Sequence, residues 1–221
     1  MKYPWLNAAD NEFSERLAQG RLPHALLLSG PRGTGKTELA KSFAAAVLCL
    51  ESTYPACGKC RPCQLLATGA HPDRQVITFE EHPRTGELRT EIVVDQVRRL
   101  IASMNLTSTI SRRKAALIYP AEAMNTSSAN ALLKTLEEPP GDANLILVSS
   151  DAARLPATIR SRCQNVHVRP PDRPVALEWL CSENSLDPDE ADAALQAAAG
   201  SPLEALQMVR EGTTDQYRLL R

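Results

Sequence analysis

Leu26-Leu27-Leu28 is a short apolar run that ends at Ser29-Gly30, the pattern of a buried strand meeting a turn. Residues 36–48 hold neither glycine nor proline and place Leu39, Phe43 and Val47 at helical spacing. Val76-Ile77-Thr78-Phe79 reads as a second strand, and the polar stretch 82–91, with Pro83 and Gly86, as a loop. Val94, Val97, Ile101 and Met104 recur at i, i+3, i+7 and i+10 and predict a helix. A third strand is expected at 115–119, a helix at 128–136, a fourth strand at 145–148 and a fifth at 166–168. Strands that alternate with helices imply a parallel sheet covered on both faces. Pro170-Pro171 breaks this rhythm, and helical patterns follow at 175–181, 189–198 and 203–209. Gly200-Ser201-Pro202 separates the last two, with Pro202 suited to a helix's first turn. The expectation is an α/β domain over residues 1–168 and a small three-helix domain over 169–221.

Composition narrows this picture only a little. The chain has 221 residues, 43% hydrophobic and 23% charged, enough for one sizeable domain and a small one. Its net charge of −1 advertises neither nucleic acid nor an acidic membrane, although a local basic face can hide behind such a balance. No run approaches the ~18 apolar residues of a membrane span. The start, Met1-Lys2-Tyr3-Pro4-Trp5, lacks a signal peptide's apolar core, so a cytoplasmic protein without a membrane partner is expected.

Gly30-Pro31-Arg32-Gly33-Thr34-Gly35-Lys36-Thr37 fits G-x-x-x-x-G-K-[ST] in full, between an expected strand and an expected helix. Such a loop aims successive backbone N–H groups at a phosphate, at a helix N-terminus whose dipole favours an anion. Lys36 would reach the β and γ phosphates of ATP or ADP, and Thr37 would hold Mg²⁺. Hydrolysis needs carboxylates as well, for the metal and for the attacking water. The strand expected at 115–119 ends instead in Tyr119-Pro120. Glu122 is the nearest acid and reads as a solvated loop carboxylate. Nucleotide binding is thus open, while turnover lacks its machinery.

Four of the six cysteines, Cys49, Cys57, Cys60 and Cys63, fall within fifteen residues. A reducing compartment disfavours disulfides. Two overlapping C-x-x-C units plus a fourth thiolate suit a closed tetrahedral Zn²⁺ site with a structural role. Free thiols or a redox C-x-x-C are the alternatives. His71 is close in sequence but superfluous, and Cys163 and Cys181 read as ordinary half-buried cysteines.

Several strings together resemble one family. His24-Ala25-Leu26-Leu27-Leu28, the four-cysteine insertion, the run from Asn130 to Pro140 (NALLKTLEEPP) and Ser161-Arg162-Cys163 are similar to bacterial DNA polymerase III clamp-loader subunits, from about Tyr3 to Leu206. The resemblance implies an AAA+ fold, a P-loop nucleotide-binding domain with a zinc insertion followed by a small helical lid. Active γ/τ-type members carry Asp-Glu where this chain has Tyr119-Pro120, and a lid arginine where it has Leu203. Those losses, with Ser161-Arg162-Cys163 kept, resemble the δ′ type: a stator that offers an arginine finger to a neighbour's ATP. The intact phosphate loop departs from that type. By residue alone Arg162 reads as a salt-bridged or surface side chain; only the resemblance makes it a trans finger, with Arg160 second. Lys134 and Glu137 read as surface or interface contacts. The implied partners are γ/τ and δ subunits, the sliding clamp and primer-template DNA. The resemblance also implies a collar domain of on the order of 100 residues, which this chain, ending at Arg221, does not contain. The alternatives are a catalytically active γ/τ-type ATPase that uses Glu122 or another acid and, less favoured, a zinc-dependent DNA-binding module with only Lys59 and Arg61 inside its cluster.

Overall fold

The computed structural model describes residues 3–213. After a short 3-10 turn, α1 (Asn7–Ala18) leads to β1 (Ala25–Ser29), the phosphate loop and α2 (Lys36–Leu48). The cysteine segment runs into α3 (Arg61–Ala67), followed by β2 (Arg74–Ile77), α4 (Val94–Met104) and β3 (Lys114–Ile118). Next come α5 (Thr126–Glu137), β4 (Ala143–Ser149), α6 (Ala157–Arg160) and β5 (Gln164–His167). Three helices follow: α7 (Arg173–Asn184), α8 (Pro188–Ala197) and α9 (Pro202–Glu211).

The five strands form one parallel sheet in the order β2-β3-β4-β1-β5. β1, β3 and β4 are buried along their whole length, which is why they read as unbroken apolar runs. Side chains still alternate between faces. Leu26 and Leu28 join one core cluster with α2, while Leu27 joins a second with α4 and α5. The polar exceptions are satisfied: Lys114 Nζ donates to Ser103 O at 2.6 Å, and Asn144 Nδ2 to Pro23 O at 2.9 Å.

The terminal helices have no core of their own. Trp179, Leu180, Ala194, Leu195 and Leu206 are part of the same cluster as Phe43, Leu39 and Val148. α8 starts at Asp187, whose carboxylate accepts from Asp189 N at 2.9 Å. The order of strands and helices follows expectation, with three additions. α1 buries only Asp10 and Phe13 fully, too few positions for a helical stripe. α3 begins inside the cysteine spacing with Pro62 in its first turn, and α6 has a single turn. β2 lies two residues earlier than expected, because Asp73 O already pairs with Ala115 N at 3.0 Å and Thr78 turns away toward the cleft described next.

Candidate functional site

The carboxyl ends of β1, β3 and β4 open onto one cleft of about 1030 Å³. Its floor is the loop 30–37. Gly30, at φ 140°, lies so close to Val168 O that a Cβ would stand 2.0 Å from it. Gly33, at φ +68°, accepts from Leu203 N at 3.0 Å, and a Cβ there would meet Glu204 N at 2.7 Å. Only glycine fits where two backbones touch. Trp5 Nε1 donates to Thr34 O at 2.9 Å, so the N-terminal segment braces the loop from its other side. Around that brace Tyr3, Trp5 and Trp179 pack ring against ring, with centroids 5.4–5.7 Å apart.

Lys36 is 4% exposed and donates to Pro31 O and, at 3.4 Å, to Thr34 Oγ1. Burial lowers its pKa to about 8, against the opposing pull of the Glu122 charge. At about 8 the amine is still mostly protonated at neutral pH and can serve as a cation for phosphate. Lys36, Arg32 and Thr37 line the cleft together, as the sequence pattern expects. Tyr119 and Pro120 also line it, so the end of β3 offers no carboxylate. From the helical tail come Leu203 and Glu204, an apolar group and an anion.

Glu122 corrects an expectation. Instead of a solvated loop carboxylate, it lines the cleft: Oε1 accepts from Ser150 N at 3.0 Å, and Oε2 is buried without a hydrogen-bond partner. The sequence hid this because the 3-10 turn Ala121–Ala123 swings the residue back toward β4. A polyphosphate with Mg²⁺ fits these groups: a cationic loop for the phosphates, with the Thr37 hydroxyl and the Glu122 carboxylate as hard oxygen donors for the metal.

The four expected cysteines do converge. All their Sγ atoms lie within 4.8 Å of one another. Cys49 to Cys60 is 4.0 Å, Cys57 to Cys63 is 3.9 Å and Cys60 to Cys63 is 3.4 Å. A tetrahedral site with Zn–S of about 2.3 Å requires sulfurs roughly 3.8 Å apart. Cys49 caps the end of α2, while Cys60 and Cys63 belong to the first turn of α3. Burial works against ionisation at Cys49, but N–H donors from Cys57 and Glu51 outweigh it and bring the thiol down to about 6. Burial, together with the neighbouring Cys60, pushes Cys63 up to about 12. His71 is engaged elsewhere, with Nδ1 accepting from Asp73 N at 3.1 Å and Nε2 at 3.1 Å from Ser111 Oγ. Cys163 and Cys181 are half-buried, as expected.

Arg162 lies just beyond α6, after the capping residue Ser161. Its Nε donates to Glu137 Oε1 at 2.8 Å and its Nη1 to Thr158 O at 2.9 Å. The side chain keeps 34% of its surface exposed and does not line the chain's own cleft. Glu137 had read as a surface or interface contact; its pairing with a residue 25 positions away carries no local signal.

A second missed group stands behind the cysteines. Asp73, fully buried, accepts from Thr109 N, Ile110 N and Ser111 N at 2.7–2.9 Å. Ser111 Oγ in turn donates to Leu48 O at 2.8 Å, tying this loop to the end of α2.

A family model described as DNA polymerase III, delta subunit, matches residues 5–172. A DNA polymerase III subunit delta′ from Pseudomonas aeruginosa is 42% identical over 216 residues, covering 97% of this chain and 63% of the relative. A tau/gamma subunit from Haemophilus influenzae is 34% identical over 198 residues, covering 87% of this chain and 28% of the relative. Among solved structures, the RuvB Holliday junction branch migration motor of Thermotoga maritima matches with a TM-score of 0.54 at 14% identity, covering 93% of this chain and 59% of that one. That last likeness is one of fold. This chain spans less than two thirds of the length of the delta′ relative.

Proposed function

Because this chain belongs to the δ′-type clamp-loader subunits of the DNA polymerase III family, we propose that it acts as a stator in loading the sliding clamp on primer-template DNA. In this reading it hydrolyses no ATP itself and presents Arg162 to the ATP of a neighbouring γ/τ subunit, with δ as a further partner. The observation that carries the reading is the divided site: a fully formed phosphate loop in a cleft where β3 runs into Tyr119 and Pro120, and an arginine, Arg162, that does not line that cleft. A guanidinium presents a planar fork that matches phosphate oxygens, and trans fingers on related chemistry contribute roughly 10³–10⁵ in rate. Glu137 and the Thr158 carbonyl set the plane of that fork and leave part of it open to solvent.

The remaining assignments are part of the same proposal. Zn²⁺ held by Cys49, Cys57, Cys60 and Cys63 joins α2 to α3 and has no catalytic part. Gly30 to Thr37 hold a nucleotide polyphosphate, with residues 1–168 as the nucleotide-binding unit and the tail expected at 169–221 as its lid, of which 214–221 lie outside the described residues. Among the described residues no helix is long and apolar enough to cross a membrane, which agrees with a cytoplasmic place of action.

In protein assembled with γ-type and δ subunits, Arg162→Ala should fold, retain zinc and join the complex. DNA-stimulated ATP turnover should then fall in part, since other sites take their fingers from other subunits. Lysine should rescue poorly, being a point charge. Wild-type turnover in the Arg162→Ala complex would overturn the reading. One observation favours the catalytic γ/τ-type alternative, namely the Glu122 carboxylate inside the cleft. Turnover by the isolated chain that vanishes in Lys36→Ala would establish it.

A further inference from the structure

The buried Oε2 of Glu122 has no partner in the fold. Its sister oxygen accepts from Ser150 N at 3.0 Å, which leaves Oε2 as the unmatched half of the carboxylate. Lys36 feels the charge of Glu122 but gives it no hydrogen bond, because its amine is turned to Pro31 O and Thr34 Oγ1. A buried carboxylate oxygen left bare costs free energy, and such groups are seldom kept without a use. Glu122 lines the same cleft as Lys36 and Thr37, beside a strand end that offers no acid. Mg²⁺ takes oxygen ligands and binds through one or two carboxylates together with substrate phosphates.

We propose that Glu122 is the metal-facing carboxylate of this cleft, joining the Mg²⁺ shell of a polyphosphate held on the loop 30–37 and standing in for the acids absent at Tyr119 and Pro120. The inference rests on the nucleotide-binding part of the proposed function and adds a residue to it. A carboxylate that only holds the metal raises affinity for the magnesium complex without activating water. The cleft therefore senses a metal–nucleotide and still does not consume it.

Calorimetric titration of the chain with ATP, in Mg²⁺ and in EDTA, tests this. The wild type should bind roughly tenfold tighter with Mg²⁺, the size of one charge-assisted contact. Glu122→Gln keeps an oxygen for Ser150 N–H, so the fold should persist, with zinc content as the control. That variant should lose the gain from Mg²⁺ and keep the EDTA affinity, whereas Lys36→Ala should weaken both. A Glu122→Gln protein that keeps the full gain overturns the role of Glu122, as does one that binds tighter by the same factor in both buffers. Failure of the wild type to bind ATP in either buffer overturns the nucleotide reading itself, and this inference with it.

Discussion

Glu137 Oε1 accepts from Arg162 Nε, and in the proposed function this pair aims the guanidinium. An exposed ion pair of this kind contributes about 0–1 kcal/mol to stability, so its effect must be sought in function. Removing the carboxylate in Glu137→Ala leaves Arg162 with the Thr158 carbonyl alone. The variant should unfold at the wild-type temperature within a few degrees, yet assembled complexes should show part of the turnover loss of Arg162→Ala. Turnover equal to wild type would show that the pair positions nothing. Asp73 and His71 are set to opposite ends. Burial pushes the Asp73 carboxyl up, but three backbone N–H groups reverse this and hold it below the usual range. His71 is held below its usual value by burial. In both cases the unfolded chain takes up protons more readily than the folded one, so stability falls as pH falls. The loss should begin below about pH 6.5 through His71 and steepen near pH 4 through Asp73, the ordinary values in unfolded chains. Urea midpoints between pH 7.5 and 4 would trace it, and Asp73→Asn should be less stable at pH 7 but flatter below pH 5. None of these three roles was legible beforehand, since each depends on backbone donors or partners distant in sequence. Lys36, Thr37 and the four cysteines were legible, because fixed local spacing carries their chemistry.

The elements that could be read from sequence are those buried on a full face. β1, β3 and β4 are unbroken apolar runs, and α2 and α4 repeat at helical spacing because a sheet covers one side of each. α1 escaped because Phe13 is its single large buried side chain, stacked on Phe43 at 3.8 Å. α3 escaped because it is short and organised by sulfur. Its seven residues fall well below the ~12–15 at which a helix persists in water, so it depends on an anchor. Metal removal should expose that dependence. Chelation, or Cys60→Ser, should release Zn²⁺ of about one equivalent per chain and raise amide exchange across 57–67 and at the end of α2. The sheet strands should stay protected. Unchanged exchange in zinc-free protein would mean that the cysteines anchor nothing.

At the scale of the molecule, the tail helices are bound to the sheet domain by a shared core and by one backbone hydrogen bond at Gly33. The sequence break at Pro170-Pro171 marks a change of architecture without marking a gap in packing, a distinction that composition does not carry. Gly33→Ala tests the seam. A left-handed alanine costs about 1–2 kcal/mol, and a Cβ 2.7 Å from Glu204 N adds to it, so a loss of about 2–4 kcal/mol is expected in one unfolding transition. A loss below 1 kcal/mol would mean that α9 yields easily. The same seam has an optical consequence. Both tryptophans of the chain, Trp5 and Trp179, lie in the aromatic cluster beside Thr34, with ring centroids 5.4 Å apart. Excited at the red edge of its absorption, the protein therefore emits from this one place. Its fluorescence is a record of how loop and tail meet, and in Gly33→Ala its maximum should move to longer wavelength while far-ultraviolet dichroism stays the same.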